Sequence, residues 1–399
     1  MKKIVVAIVL LFCFVANAQN QSIQFENGTW QQIKDKATAE KKLIFIDCYT
    51  TWCGPCKWME TTTFTNDTVA DYFNQHFVCT KFDMEKGEGL TLRTQYNIHR
   101  YPNLLFIDAQ GKLMHRAASA YDVTSLMALA KDAETPDKTY SSMLSKYSSG
   151  NRNVDFIMNY LRVTRSAGLN TDDIVTDYFA TQKENDLSNR NNWKVIENYV
   201  TNTNAPAFKY LVTHKALYAQ KYTSDSVERK IEDVFYEARW SVVYDTTDKT
   251  NKKYTDLLAQ VKSSGIKNTD KLLTKIKLEF YVSKHDYVNY ATMCEHYVNT
   301  YLIKDDAENT NLICYYFTQV VKDKAMLTKA VTWSKASNEL DKDNPYYLET
   351  YANLLFLTGK KQEAVQVEEK VLQLTKAGAP KAEGMQVEEI EKNIALWKK

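Results

Sequence analysis

The apolar positions of this chain follow two rhythms, and the change between them falls near residue 135. Before it, short continuous apolar runs bounded by polar turns predict buried strands over Leu43–Cys48, Phe77–Phe82 and Leu104–Ile107, with a weaker strand over Lys112–Arg116. Between and after them, Thr68–Asn74, Leu90–Tyr96 and Val123–Asp132 predict helices. Strands alternating with helices imply an α/β domain built on a central sheet. The polar, proline-containing stretch Ala133-Glu134-Thr135-Pro136-Asp137-Lys138 predicts a linker.

Beyond it the strand signal fades and helical spacing takes over. Val154, Ile157, Met158 and Leu161 fall on one face, as do Val227, Ile231, Val234 and Phe235. Turn clusters at Thr201–Pro206 and Ser263-Ser264-Gly265 punctuate roughly a dozen helices of ordinary length. Near the end, Pro345 opens a helix containing Ala352, Gly359 breaks it, and Ala364 and Val371 lie in the next. Small residues on facing helices allow close antiparallel approach. This stretch resembles a tetratricopeptide repeat, clearest over 345–378. Ala330 and Ser337 stand 34 residues before Ala364 and Val371 and suggest a degraded second copy. The organisation expected is therefore a leader over 1–18, a thiol-bearing α/β domain over 19–135, and an all-α helical-hairpin domain over 136–399.

The leader follows from Lys2-Lys3, the apolar run Ile4–Val15 and Ala16-Asn17-Ala18. These have the form of a secretory signal with cleavage after Ala18. The apolar run is short for a membrane span, and no other run is apolar enough for one. An exported, periplasmic-type location and a mature chain without a membrane span are expected. Removing the leader leaves 49 basic residues of the original 51 against 49 acidic ones. A net charge of zero gives no reason to expect nucleic acid or an anionic membrane as partner.

Seven cysteines become six without Cys13, too few for a disulfide-dense scaffold in a chain this long. Two of them carry the chemistry. Trp52-Cys53-Gly54-Pro55-Cys56 places a CxxC directly after a predicted strand and at the start of a helix. There the unpaired N–H groups of the first turn favour a thiolate. Cys53 is the expected nucleophile. Cys56, one turn later, is the expected resolving thiol. A zinc site would need two more ligands, and the sequence offers no second CxxC and only scattered histidines.

With these residues in view, 25–132 resembles a thioredoxin-fold domain. Asp47, six residues before Cys53, matches the family's buried acid that assists proton transfer to the resolving cysteine. Lys81 matches the lysine that pairs with that acid. Tyr101-Pro102 matches the cis-proline loop that, with Trp52, Gly54 and Pro55, meets an extended substrate segment. The sequence departs from the plain family at Tyr49, where tryptophan is usual, and at Ala117 or Ala118, where a late glycine is usual. The stretches 60–67 and 83–89 are longer than in the shortest members. In these it resembles exported thioredoxin-like domains of periplasmic electron transfer.

The resemblance implies a thiol–disulfide oxidoreductase with no cofactor beyond the Cys53–Cys56 disulfide. Gly-Pro between the cysteines resembles the reducing end of the family. The expected partners are disulfides of exported proteins and a membrane-linked electron donor. The alternatives are a helical-repeat adaptor, or a disulfide isomerase or oxidase. Strand alternation puts Cys79 on the face of Asp47 and Lys81, and Cys48 on the other, so no Cys48–Cys79 bridge is expected. Cys294 and Cys314 fall on different predicted helices and are expected as core thiols, with a bridge between them as the alternative. Tyr281, Tyr287, Tyr290, Tyr297 and Tyr301 recur at helical spacing and read first as packing between hairpins, second as an aromatic concave surface.

Overall fold

A computed structural model describes residues 22–382 and 384–399; the expected leader lies outside them. The described chain divides into two compact units, one running to Tyr199 and the other Val200–Lys399.

The first unit runs α1 (Trp30–Glu40), β1 (Leu43–Tyr49), α2 (Gly54–Thr61), α3 (Asp67–His76), β2 (Phe77–Asp83), α4 (Glu88–Gln95), β3 (Asn103–Ile107), β4 (Leu113–Ala117) and α5 (Val123–Glu134). Four more helices follow in it: α6 (Tyr140–Ser148), α7 (Val154–Ser166), α8 (Asp172–Ala180) and α9 (Arg190–Tyr199). The sheet order is β2-β1-β3-β4, with β1 and β2 parallel and the other neighbours antiparallel.

Both faces of the sheet are covered, which is why β1 and β3 read as unbroken apolar runs. Phe45, Cys79, Leu104 and Phe106 pack on one face with Met59 of α2, Phe73 of α3 and Leu126 of α5. Ile44, Ile46, Cys48, Leu105 and Ile107 pack on the other with Ile33 of α1 and Leu92 of α4. Helix α1 has no clear apolar rhythm, since only Ile33 and Ala37 are buried. A capping box at Thr29 and Gln32 fixes its start.

The stretch 133–138 is the last turn of α5 followed by a short 3₁₀ turn, and the compact unit does not end there. The Tyr140 N–H donates to His115 Nδ1 of β4 at 3.0 Å. The Ala118 N–H donates to the Ser166 carbonyl at the end of α7 at 2.8 Å. The sheet's outer strand is thus finished by the helices that follow it.

The second unit is helical throughout: α10 (Pro206–Thr213), α11 (Lys215–Lys221), α12 (Ser224–Val243), α13 (Lys252–Ser263), α14 (Thr269–Ser283), α15 (Tyr287–Tyr297), α16 (Ala307–Val320), α17 (Lys324–Leu340), α18 (Pro345–Leu357), α19 (Lys361–Lys376) and α20 (Val387–Trp397). Fifteen α-helices therefore follow residue 135 among the described residues. Ala352 and Ala364 are fully buried in the α18–α19 hairpin, and Gly359 turns between them at φ 90°. Ala330 and Ser337 are equally buried on α17. No helix among the described residues is long and apolar enough to cross a membrane.

Candidate active site

Strand β1 ends at Tyr49 and the chain turns through Thr50–Cys53 into α2. Cys53 is the N-cap, and Pro55 in the first turn gives up only an N–H that would have no intrahelical acceptor. The Cys53 Sγ accepts the Cys56 N–H at 3.2 Å, so the helix terminus already points a donor at this sulfur. Cys53 and Cys56 are joined by a disulfide, with Cα atoms 5.4 Å apart. Both are nearly buried, whereas Trp52 beside them is 65% exposed.

Asp47 lies on the β1 face that carries Phe45, the face covered by α2. It is 4% exposed, and its Oδ1 has no hydrogen-bond partner. Burial pushes its carboxyl up to about 7; the Lys81 charge opposes this and the Glu60 charge adds to it. A carboxyl at this value can take or give a proton near neutral pH.

Lys81 is the register partner of Asp47 on the parallel strand β2. Its ammonium does not go where the sequence reading put it. Lys81 Nζ pairs with Glu60 Oε1 of α2 at 2.5 Å, and sits 5.9 Å over the Tyr49 ring and 5.5 Å over the Phe25 ring. Strand register puts the two residues side by side, but a long flexible side chain takes the solvated carboxylate within its reach. Glu60 is the residue that sequence reasoning missed. It stands four residues after Cys56, on the same stripe of α2, and helical spacing could have found it.

The loop opposite the disulfide carries Tyr101-Pro102, whose peptide bond is cis. The Tyr101 and Trp52 rings meet edge to face at 5.9 Å. Trp52 Nε1 donates to both Glu85 carboxylate oxygens at 3.1 Å, so the 83–89 loop reaches the CxxC turn. Gly89 allows that loop to fold back, since a Cβ there would lie 2.0 Å from the Asp83 carbonyl oxygen. Arg116, buried on β4, holds the Pro102 loop from behind. Its Nη1 donates to the Tyr96 carbonyl at 2.9 Å and its Nη2 to Asn103 Oδ1 at 3.3 Å. Nothing in the local pattern marks it, because a basic residue in a weak strand reads as solvent-facing.

Register pairs Leu104 with Ala117, so Ala118 comes opposite Asn103, the residue after Pro102, at the end of the sheet where the CxxC lies. The 118–121 segment is clasped from both sides. Thr63 Oγ1 donates to the Tyr121 carbonyl at 2.8 Å, and the Tyr121 hydroxyl meets Ser166 Oγ at 2.6 Å.

Among the described residues the remaining cysteines, Cys48, Cys79, Cys294 and Cys314, are buried free thiols. Cys48 and Cys79 belong to opposite faces of the sheet, as strand alternation required. Burial raises both thiols well above their ordinary range. Cys294 and Cys314 share one apolar core in the second unit.

Residues 24–109 match the family described as thioredoxin-like. Thioredoxin-1 of Drosophila melanogaster is 37% identical over 91 residues, covering 23% of this chain and 80% of that protein. The thiol:disulfide interchange protein DsbD of Tatumella citrea is 33% identical over 100 residues, covering 24% of this chain but 17% of that protein. The solution structure of a protein from Bacteroides thetaiotaomicron, described as a candidate disulphide-isomerase, is 45% identical. It matches over 30% of this chain and 98% of its own, with a TM-score of 0.28.

Proposed function

The chain belongs to the thioredoxin-like family of disulfide oxidoreductases, and on that premise we propose that it is an exported reductase of protein disulfides. The observation that carries the reading is the Cys53–Cys56 disulfide at the start of α2, on the face of the sheet where the Asp47 carboxyl is buried.

In the dithiol form, the Cys53 thiolate attacks one sulfur of a substrate disulfide and expels the other as a thiolate. Cys53 and the substrate are then joined by a mixed disulfide. The Cys56 thiol passes its proton to the Asp47 carboxylate and attacks Cys53 Sγ. The second substrate sulfur leaves as a thiolate and takes up that proton. The substrate gains two electrons and two protons, one from Cys56 by way of Asp47 and one taken from water by the sulfur expelled first, and the protein returns to the Cys53–Cys56 disulfide. A donor dithiol reverses the sequence and reloads it. Trp52, Gly54, Pro55, Tyr101 and Pro102 form the surface that meets the substrate segment. Lys81, held by Glu60, acts on Asp47 through space.

The reducing direction is supported by Gly54-Pro55 between the cysteines, and export by the leader read over residues 1–18. In this setting the electrons come from a membrane-linked donor, and the substrates are disulfides of exported proteins.

Insulin reduction by dithiothreitol tests the chemistry: the native protein accelerates it and Cys53→Ser does not. Cys56→Ser accumulates mixed disulfides through Cys53. Equal rates for native protein and Cys53→Ser would end the enzyme reading and favour an adaptor. Equilibration with a glutathione buffer tests the direction. A reductase has a potential near the thioredoxin value of about −270 mV, and an oxidase one near about −120 mV.

A further inference from the structure

Helices α12, α14, α15 and α16 of the second unit enclose an open cavity of about 420 Å³. Its volume lies in the range of small-ligand sites, roughly 300–1,000 Å³. Six tyrosines line it, among them Tyr236, Tyr290 and Tyr316, together with Leu278 and Val282. Large apolar side chains are left in water around it: Leu312 and Tyr315 of its wall are more than half exposed, and Trp240 stacks on Tyr244 at 5.2 Å. An apolar hollow with an exposed aromatic rim is what a ligand site, rather than a packing defect, requires.

The charged groups of the wall are unequally satisfied. Glu279 accepts from Arg239 Nε at 2.8 and 2.7 Å and from the Tyr236 hydroxyl at 2.8 Å. Its charge is thereby compensated. Asn309 donates to Asp306 at the start of α16. Lys275 is different. Its Nζ stands 4.3 Å over the Tyr236 ring, and it makes no ion pair among the described residues. Burial disfavours its ammonium, as do the charges of Lys271 and Arg239, and the carboxylates of Glu279 and Glu232 offset this only in part. A half-buried cation facing an apolar hollow gains most from an anion brought in by a ligand.

We propose that this cavity binds an apolar carboxylate, with the carboxylate on Lys275 and the apolar body among the tyrosines. Two sources share this chemistry: a free aromatic or branched carboxylic acid, and the terminal carboxylate of a polypeptide ending in apolar residues. The site is independent of the disulfide chemistry, since none of its residues belongs to the CxxC region.

Calorimetric titration of the full chain separates the possibilities. The probes are phenylbutyrate and its amide, and an acetylated Gly-Gly-Leu-Phe peptide with a free or an amidated end. At least one acid binds about tenfold more tightly than its amide, the worth of one charge-assisted hydrogen bond. Lys275→Met removes that preference, Lys275→Arg restores most of it, and insulin reduction is unchanged in both. Binding of the free acid assigns the site to small carboxylates. Binding of the peptide alone assigns it to chain ends. The proposal is overturned if acids and amides bind alike, if a folded Lys275→Met variant keeps the preference, or if no probe binds at millimolar concentration.

Discussion

At Asp47 the cost of burying a charge becomes a chemical property. The unfolded chain ionises this carboxyl near pH 4, and the folded protein near about 7. Below pH 4 both states hold the proton and no penalty arises. Between about 4 and 7 the unfolded chain loses it first, so stability falls as pH rises, by at most ~4 kcal/mol in all. Above 7 the penalty is constant. Asp47→Asn should therefore stabilise the oxidised protein by a few kcal/mol at pH 8 relative to its effect at pH 4, read from denaturant midpoints at the two pH values. Glu60→Gln should move the Asp47 midpoint down, because it removes a neighbouring negative charge and releases the Lys81 ammonium. A carboxyl-carbon NMR titration showing no downward movement would contradict the Lys81–Glu60 account. At this scale the two cysteines and Asp47 were legible, since their positions follow from chain spacing. The choice made by Lys81 was not. It depends on which carboxylates the tertiary fold brings within reach of a long side chain.

Among the elements, α2 was the most readable: Cys53 caps it, Pro55 suits its first turn, and the β1 run points into it. Strand parity also placed Cys48 and Cys79 correctly on opposite faces. The turn after α7 was not readable. Gly168 has φ 71°, and a Cβ there would lie 2.8 Å from the Ala118 Cβ and 3.6 Å from the Arg100 Cδ. It is thus pressed against the segments that flank Pro102. Gly150 has φ 94° and open surroundings, so it controls for backbone strain alone. Gly168→Ala should cost more than Gly150→Ala by ~1 kcal/mol or more in chemical denaturation, the difference being the contact with Ala118. Equal costs would mean that the α7–α8 turn does not brace the 118–121 segment.

For the whole molecule, the shift in apolar rhythm near residue 135 is real as a change of secondary structure. The first compact unit nevertheless continues to Tyr199. Buried His115 is held near about 4 by desolvation, accepts the Tyr140 N–H, and loses that partner if the chain stops at 135. Ala118 loses its acceptor on Ser166 in the same cut. A fragment of residues 22–199 should unfold cooperatively, and one of 22–135 should be less stable by ~2 kcal/mol or more. Matching denaturation curves would show that α6–α9 contribute nothing to the sheet.

Chain spacing alone carried the order of the four strands and of the helices from the CxxC onward, the CxxC at a helix start, and the sheet face to which each strand residue belongs. Those properties depend on spacing along the chain, which periodicity records directly. Tertiary structure alone decided that Lys81 serves Glu60, that Glu85 holds Trp52, that Arg116 and the α7–α8 turn brace the Pro102 loop, and that six tyrosines face one cavity with Lys275. Each of these joins residues far apart in the chain, and the contact exists only where folding has already paired the surfaces that carry them.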